Sequence, residues 1–234
     1  MDELKNIRYL ALLGLLLITV GCSSVQASAV QKDRPPPTGI FGTYEFRGSL
    51  KALKNWQRVT AVGSEQMDQF SSPQNDTGIR AAAQWRQLLE AEHDAPVKQQ
   101  LIAVNRFFNR WPYRLDSDVW QRNDYWATPL EFLRQSGDCE DYAICKYYAL
   151  RYMGFDGDHM RIVIVKDTIR SITHAVLAVY IQDDILVLDN MSDPVFSHHR
   201  YQHYVPQYSV NEHTRWIHIK PATTGLATPT TTGE

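Results

Sequence analysis

The 234 residues fit one domain of ordinary size, and 44% hydrophobic with 11% aromatic content is ample for a packed core without staples. With 24 Lys+Arg against 26 Asp+Glu the formal net charge is -2, so there is no global positive field to hold nucleic acid or anionic lipid. Three cysteines are too few for a disulfide scaffold.

At the start of the chain, Lys5 and Arg8 precede an uncharged apolar run from Tyr9 to Val20, too short to span a bilayer but right for a signal-peptide core. Residues 1–22 are therefore expected to direct export to the periplasm. Two processing routes compete. Thr19-Val20-Gly21-Cys22 approximates a lipobox that would anchor the protein through Cys22, while the small residues around Ala27 and Ala29 suit ordinary signal peptidase. Residues 23–39 end in Arg34-Pro35-Pro36-Pro37 and read as a linker; residues 221–234, rich in Thr, Ala, Pro and Gly, read as a disordered tail. The folded domain is expected over 40–220.

Within it, apolar residues at three-residue steps predict a helix from Leu50 to about Gln69, frayed by Gly63. Ile79 to Glu92 predicts a second helix, and Pro96 opens a third that Trp111-Pro112 stops. Thr128-Pro129-Leu130-Glu131 is a capping box with proline at the first helical position, opening a short helix that Gly137 ends. Residues 139–153 then form a helix with Gly154 as its stop. Beyond it the period changes. Met160–Val165, His174–Ile181, Ile185–Asp189 and Trp216–Ile219 are β-branched runs bounded by turn residues, hence strands. Helices first and strands second predict an α+β domain.

Cys139 opens its helix, where unpaired N–H groups and the dipole favour a thiolate. Asp138, Glu140 and Asp141 oppose that by raising a thiol pKa, so either Cys139 is no nucleophile or a cation sits there. Taken singly, Cys139 reads as a small buried residue, and Cys145, about 240° around the helix, as core. A turn over 181–184 would pair Tyr180 with Ile185, which puts His174 and Asp189 on one sheet face. A cysteine at a helix start facing a His and an Asp on neighbouring strands is the nucleophile, base and orienter of a cysteine hydrolase or acyltransferase.

The histidines 198, 199 and 203 could suggest zinc. His199 and His203 fit one helix face, but the Glu of a zincin is missing, and Tyr201, Tyr204 and Tyr208 read as a polar aromatic surface. No glycine-rich phosphate loop and no Gly-x-Ser-x-Gly elbow occurs.

The runs Trp126-Ala-Thr-Pro-Leu-Glu-Phe-Leu133, Gly137-Asp-Cys-Glu-Asp-Tyr-Ala143, Thr173-His-Ala-Val-Leu177 and Leu188-Asp189-Asn190 resemble the bacterial transglutaminase-like cysteine proteinases of the LapG type. Val104–Asn109 with Pro112-Tyr113-Arg114 fits the same resemblance upstream. It implies a papain-like/transglutaminase-like core with the nucleophile helix packed on an antiparallel sheet, and peptide cleavage by Cys139, His174 and Asp189. It also implies Ca2+ as cofactor, held by Asp138 and Glu140 with Asp141 a further ligand; hard oxygen donors suit that ion, and three acids cannot fill its shell. The implied oxyanion hole pairs the Cys139 N–H with a side chain such as Trp126 or Gln135. The implied substrate is a large repeat-containing surface adhesin, cut in its N-terminal region to release cells from a biofilm. The implied regulator is the periplasmic domain of an inner-membrane cyclic-di-GMP receptor. A transglutaminase-type acyltransferase and a non-catalytic envelope-binding module are the alternatives on the same fold.

Overall fold

The computed structural model describes residues 39–221. The expected export segment 1–22, nearly all of the 23–39 linker and all but the first residue of the 221–234 tail lie outside the described residues. In chain order the elements are β1 (Tyr44–Gly48), α1 (Lys54–Thr60), α2 (Gly63–Ser71), α3 (Ala81–Glu92), α4 (Val97–Phe108), α5 (Asp116–Val119), α6 (Pro129–Gln135) and α7 (Cys139–Tyr152). The strands β2 (Met160–Asp167), β3 (Ile172–Ile181), β4 (Asp184–Asp189), β5 (Ser192–Ser197), β6 (Tyr204–Val210) and β7 (Arg215–Ile219) follow.

The strands form one sheet in the order β1-β7-β6-β2-β3-β4-β5, antiparallel throughout. Both faces of its centre are buried. Ile162, Ile164, Ala175, Leu177, Val179 and Leu188 face α7 and the helical core. Val163, Val165, Val176, Ala178, Ile185 and Val187 pack on the other side with Ile40, Tyr201 and Tyr204. That is why β2 to β4 read as near-continuous apolar runs. Tyr180 pairs with Ile185, as the turn parity predicts.

The central helix is α7, with every residue from Glu140 to Leu150 buried. It lies between β3 and the helices α2, α4 and α6. A helix buried all round has no polar face, which accounts for its weak amphipathic pattern despite its length.

The expected helix over 50–69 is divided. A 3₁₀ turn over Leu50–Ala52 leads into α1, the chain bends at Ala61-Val62, and α2 starts at Gly63. Gly63 touches Tyr148 of α7 so closely that a Cβ would lie 2.3 Å from its ring, so the glycine is a contact point between helices. Three strands and α5 also escape the sequence patterns. Strand β6 carries Pro206 where its register with β2 shifts, and β5 carries Pro194 on the sheet edge. Those are the positions a sheet allows proline, yet proline hides a strand from pattern reading.

Candidate active site

The loop into α7 is fixed before any chemistry is considered. The capping box opening α6 is formed, with the Thr128 N–H donating to Glu131 at 2.8 Å. Arg58 from α1 grips the same carboxylate at 3.1 Å. Ser136, not Gly137, takes the left-handed position after α6, with φ 66°. Gly137 is needed for another reason: a Cβ there would stand 1.9 Å from Oδ2 of Asp141.

Asp141 closes a second capping box. Its Oδ2 accepts the Asp138 N–H at 3.2 Å, its Oδ1 accepts the Ala127 N–H at 2.6 Å, and the Asp138 carboxylate caps the Asp141 N–H. Cys139 is thereby held as the first residue of α7, where backbone N–H groups lack helical partners. The thiol donates to Glu140 Oε2 at 3.3 Å. Burial, then the charges of Glu140 and Asp138, push the Cys139 thiol well above its ordinary pKa. The Ala175 N–H, next in sequence to His174, favours the thiolate, and the Tyr113 hydroxyl lies near enough to feel the thiol's charge. Tyr113 stacks on Tyr142 of α7 and bridges Gly137, so it overhangs the nucleophile segment while half exposed.

His174 is buried in β3 and its Nε2 meets Asp189 Oδ1 at 2.9 Å, leaving Nδ1 available for proton exchange. Asp189 ends β4. It also accepts the Met191 N–H on Oδ1 at 2.9 Å and the Tyr204 hydroxyl on Oδ2 at 2.8 Å. Burial pushes its carboxyl up, but the hydrogen bonds and the charge of His174 win and hold it below the ordinary range. Tyr204 belongs to the stretch expected as polar surface, and the structure corrects that: Tyr204 is 2% exposed, and Tyr201 is buried beside it.

Beside the thiol lies a cluster of carboxylates. Asp116, Asp124 and Glu140 come within coordinating distance of one another, as do Asp116, Asp138 and Asp141. Asp116 and Asp124 sit in the segment before Trp126, too far along the chain for the motif around Cys139 to reveal them. Burial, with repulsion from Asp138 and Asp124, pushes Asp116 up to about 6 even though the Tyr125 N–H opposes it. Burial also raises Asp138, Glu140 and Asp141. Oδ1 of Asp116 and Oδ1 of Asp138 are buried without a partner. Unpartnered anionic oxygens converging at one point suit a hard divalent cation such as calcium. Asp141 holds the loop with both oxygens on backbone N–H groups, and with a lone pair left on each it also lies within coordinating distance of Asp116 and Asp138.

Of the two side chains expected in the oxyanion hole, the first is already engaged. The Trp126 indole donates to Asp124 at 3.1 Å, and Gln135 lies exposed at the end of α6. The Tyr113 hydroxyl is the side-chain donor that interacts with the thiol. A cleft of about 210 Å³, lined by Leu53, Asn55, Trp56, Asp124, Trp126 and Tyr208, adjoins the acidic cluster. A larger cavity of about 440 Å³ lies against Tyr152 and Gly154, at the end of α7 away from Cys139.

The histidine stretch forms no helix: His198–Arg200 is a 3₁₀ turn that leads towards β6. Asp184, His198 and His199 do cluster, but His198 Nδ1 accepts the Phe41 N–H at 2.9 Å. A neutral imidazole has one lone pair, and here it is occupied, which argues against zinc.

No curated protein matches the sequence. The family model for bacterial transglutaminase-like cysteine proteinases matches residues 71–224. Among solved structures, Legionella pneumophila LapG aligns with TM-score 0.56 and 30% identity, covering 66% of this chain and 87% of that one. Its calcium-bound form aligns with TM-score 0.57 at the same identity and coverage. An EGTA-treated form aligns with TM-score 0.56, covering 85% of that chain. With its mixed architecture matching theirs, the chain belongs to the bacterial transglutaminase-like cysteine proteinase family and is a cysteine endopeptidase of the LapG type.

Proposed function

We propose that the protein is a calcium-dependent periplasmic endopeptidase that cuts the N-terminal region of a large repeat-containing surface adhesin and so promotes biofilm dispersal. The observation that carries the reading is the placing of the Cys139 thiol, at the start of α7, beside the Ala175 N–H that follows His174, whose imidazole is held by Asp189. In the proposed reaction His174 Nδ1 takes the thiol proton and Sγ attacks the scissile carbonyl. The tetrahedral oxyanion is met by the Cys139 N–H and the Tyr113 hydroxyl. His174 returns the proton to the leaving amine, and water, deprotonated by the same nitrogen, releases the acyl group and restores the thiol. Asp189 holds the imidazole and stabilises its charged form; Tyr204 and the Met191 N–H hold Asp189.

Asp116, Asp138 and Glu140, with Asp141 a further ligand and Asp124 at the rim, would hold the calcium ion. Bound there, the ion would offset the negative charge that opposes a thiolate and fix the loop entering α7. The signal-like run Tyr9–Val20 supports export to the periplasm, and Cys22 supplies the lipid-anchored form. The regulatory partner in this reading is the periplasmic domain of an inner-membrane cyclic-di-GMP receptor.

The test is cleavage of an adhesin N-terminal fragment from the same genome by the mature protein, with calcium, with EGTA, and with Cys139→Ala. Cleavage is expected only with calcium and an intact Cys139. Incorporation of an added amine without a released fragment would replace the protease with an acyltransferase. Binding without either product would leave a non-catalytic module.

A further inference from the structure

Lys146 lies on α7 two turns beyond Cys139, and its side chain is among the largest fully buried ones. An ammonium removed from water is costly to the fold, and a methionine of similar length would fill the same space without that cost. Its Nζ meets one hydrogen-bond acceptor among the described contacts, Asn109 Oδ1, at 2.6 Å. The face of Tyr142 lies 5.7 Å away.

Asn109, directly after α4, reaches the turn between β4 and β5. Its Nδ2 lies 3.1 Å from the Asp189 carbonyl, 3.3 Å from that of Ser192 and 3.1 Å from Asp193 Oδ1. Asn105, one turn earlier, donates to the Ser192 and Asp193 carbonyls at 2.6 and 3.0 Å. The Asn109 amide has one orientation compatible with these partners. Burial lowers the Lys146 pKa to about 7 against the charges of Asp189 and Asp193; in its charged form it can only donate, so it fixes Oδ1 towards α7 and the NH₂ towards the turn. A flipped amide would set its NH₂ against the ammonium and its oxygen against the carbonyls.

We propose that Lys146 and Asn109 form a positioning pair, in which the buried ammonium orients the carboxamide and the carboxamide holds the turn that carries Asp189. Because Lys146 and Cys139 share one helix, the pair references the nucleophile and the Asp189 end of its base to the same rigid element. Lys146 touches no reacting atom; it acts through Asn109, then Asp189, then His174. The proposal rests on the reading of Cys139, His174 and Asp189 given above, and it adds the residues that keep that geometry.

The primary measurement needs no substrate: the rate at which iodoacetamide alkylates Cys139 in the full chain at neutral pH with calcium, read by mass spectrometry. Asp189→Asn sets the scale. Lys146→Met is expected to slow alkylation, and the turnover of the adhesin fragment, by roughly 10- to 100-fold with KM within about twofold. Its melting temperature should be unchanged or raised. Asn109→Ala should give a similar loss, and the double variant no more than either single one, since the two act as a unit.

Lys146→Met with alkylation within about twofold of wild type overturns the proposal. So do losses that multiply in the double variant. A fall in melting temperature that tracks the loss of activity assigns Lys146 to packing and overturns it as well; if Lys146→Met does not fold, Asn109→Ala decides by the same criteria. A Cys139 that ignores Asp189→Asn refutes the triad itself, a different outcome from one that responds to Asp189→Asn but not to Lys146→Met.

Discussion

Gly137→Ala tests how tightly the nucleophile loop is built. Gly137 is not among the residues with positive φ, so backbone strain contributes nothing and the whole effect comes from contact. The new methyl would lie 1.9 Å from Asp141 Oδ2, 2.7 Å from Cγ and 2.8 Å from Cβ. Asp141 is fully buried and cannot swing into solvent. To make room it must give up its bonds to the Ala127 and Asp138 N–H groups, each a charge-assisted bond worth about 1.5–3 kcal/mol. Moving the glycine instead breaks the Arg114 N–H bond to the Gly137 carbonyl and shifts Cys139 itself. The expected destabilisation is therefore about 3–5 kcal/mol, a large part of the stability of an ordinary domain. For a domain of this size that lowers the melting temperature by roughly 6–20 °C, measured by circular dichroism. Asp141→Ala removes the obstacle, so the two substitutions should be coupled by at least about 1 kcal/mol in a double-mutant cycle. A fall below about 2 °C, or strict additivity, would refute the reasoning.

Asp189→Asn keeps the shape but presents an amide to His174 and Tyr204; adhesin-fragment turnover should fall by roughly 10³- to 10⁴-fold in a folded protein, and a loss under tenfold would remove Asp189 from the mechanism. Tyr113→Phe deletes only the hydroxyl at the sulfur and should lower kcat by roughly 10- to 100-fold with KM little changed; an unchanged kcat leaves the oxyanion to the backbone alone. Calcium should raise the melting temperature of the wild type, and Asp116→Asn should require more calcium for the same rise, read by calorimetry; identical titrations would exclude Asp116 from the ion. His218 lies between Thr43 and Ser209, with Glu45 and Arg161 as its charged neighbours. Burial lowers its pKa from 6.5 to about 4, so its contribution to stability is complete above 6.5 and is lost as pH falls towards 4. Urea unfolding across that window should show His218→Gln with a flatter acid slope, by about 1–3 kcal/mol, and an unchanged slope would refute the assignment.

The parts of the fold legible in the sequence were those where local chemistry and tertiary context agree. Thr128-Pro129-Leu130-Glu131 specifies a helix start that neighbouring groups reinforce, and β2 to β4 announce themselves because burial on two faces requires unbroken apolar runs. What could not be read depends on partners distant in the chain. Gly63 looks like fraying until Tyr148 is seen against it, and Gly137 looks like a helix stop until Asp141 is seen in the space a Cβ would need. Tyr204 looks like surface until Asp189 is seen at its hydroxyl.

The same division runs through the site. Cys139 and Asp189 could be named because each sits at an element boundary, and His174 because one turn parity puts it on the same sheet face as Asp189. The acids beside Cys139 raised a contradiction that the sequence could state but not resolve: they weaken the nucleophile they flank. The structure sharpens it by adding Asp116 and Asp124 and by leaving two buried carboxylate oxygens without partners. Carboxylates packed this closely repel one another, and when ionised Glu140 accepts the thiol hydrogen and opposes its release. A divalent cation removes both difficulties at once, since it supplies the missing partners and withdraws the charge that keeps the Cys139 thiol protonated. Activity that disappears with EGTA and returns with calcium, in a protein whose fold persists throughout, is what that argument requires.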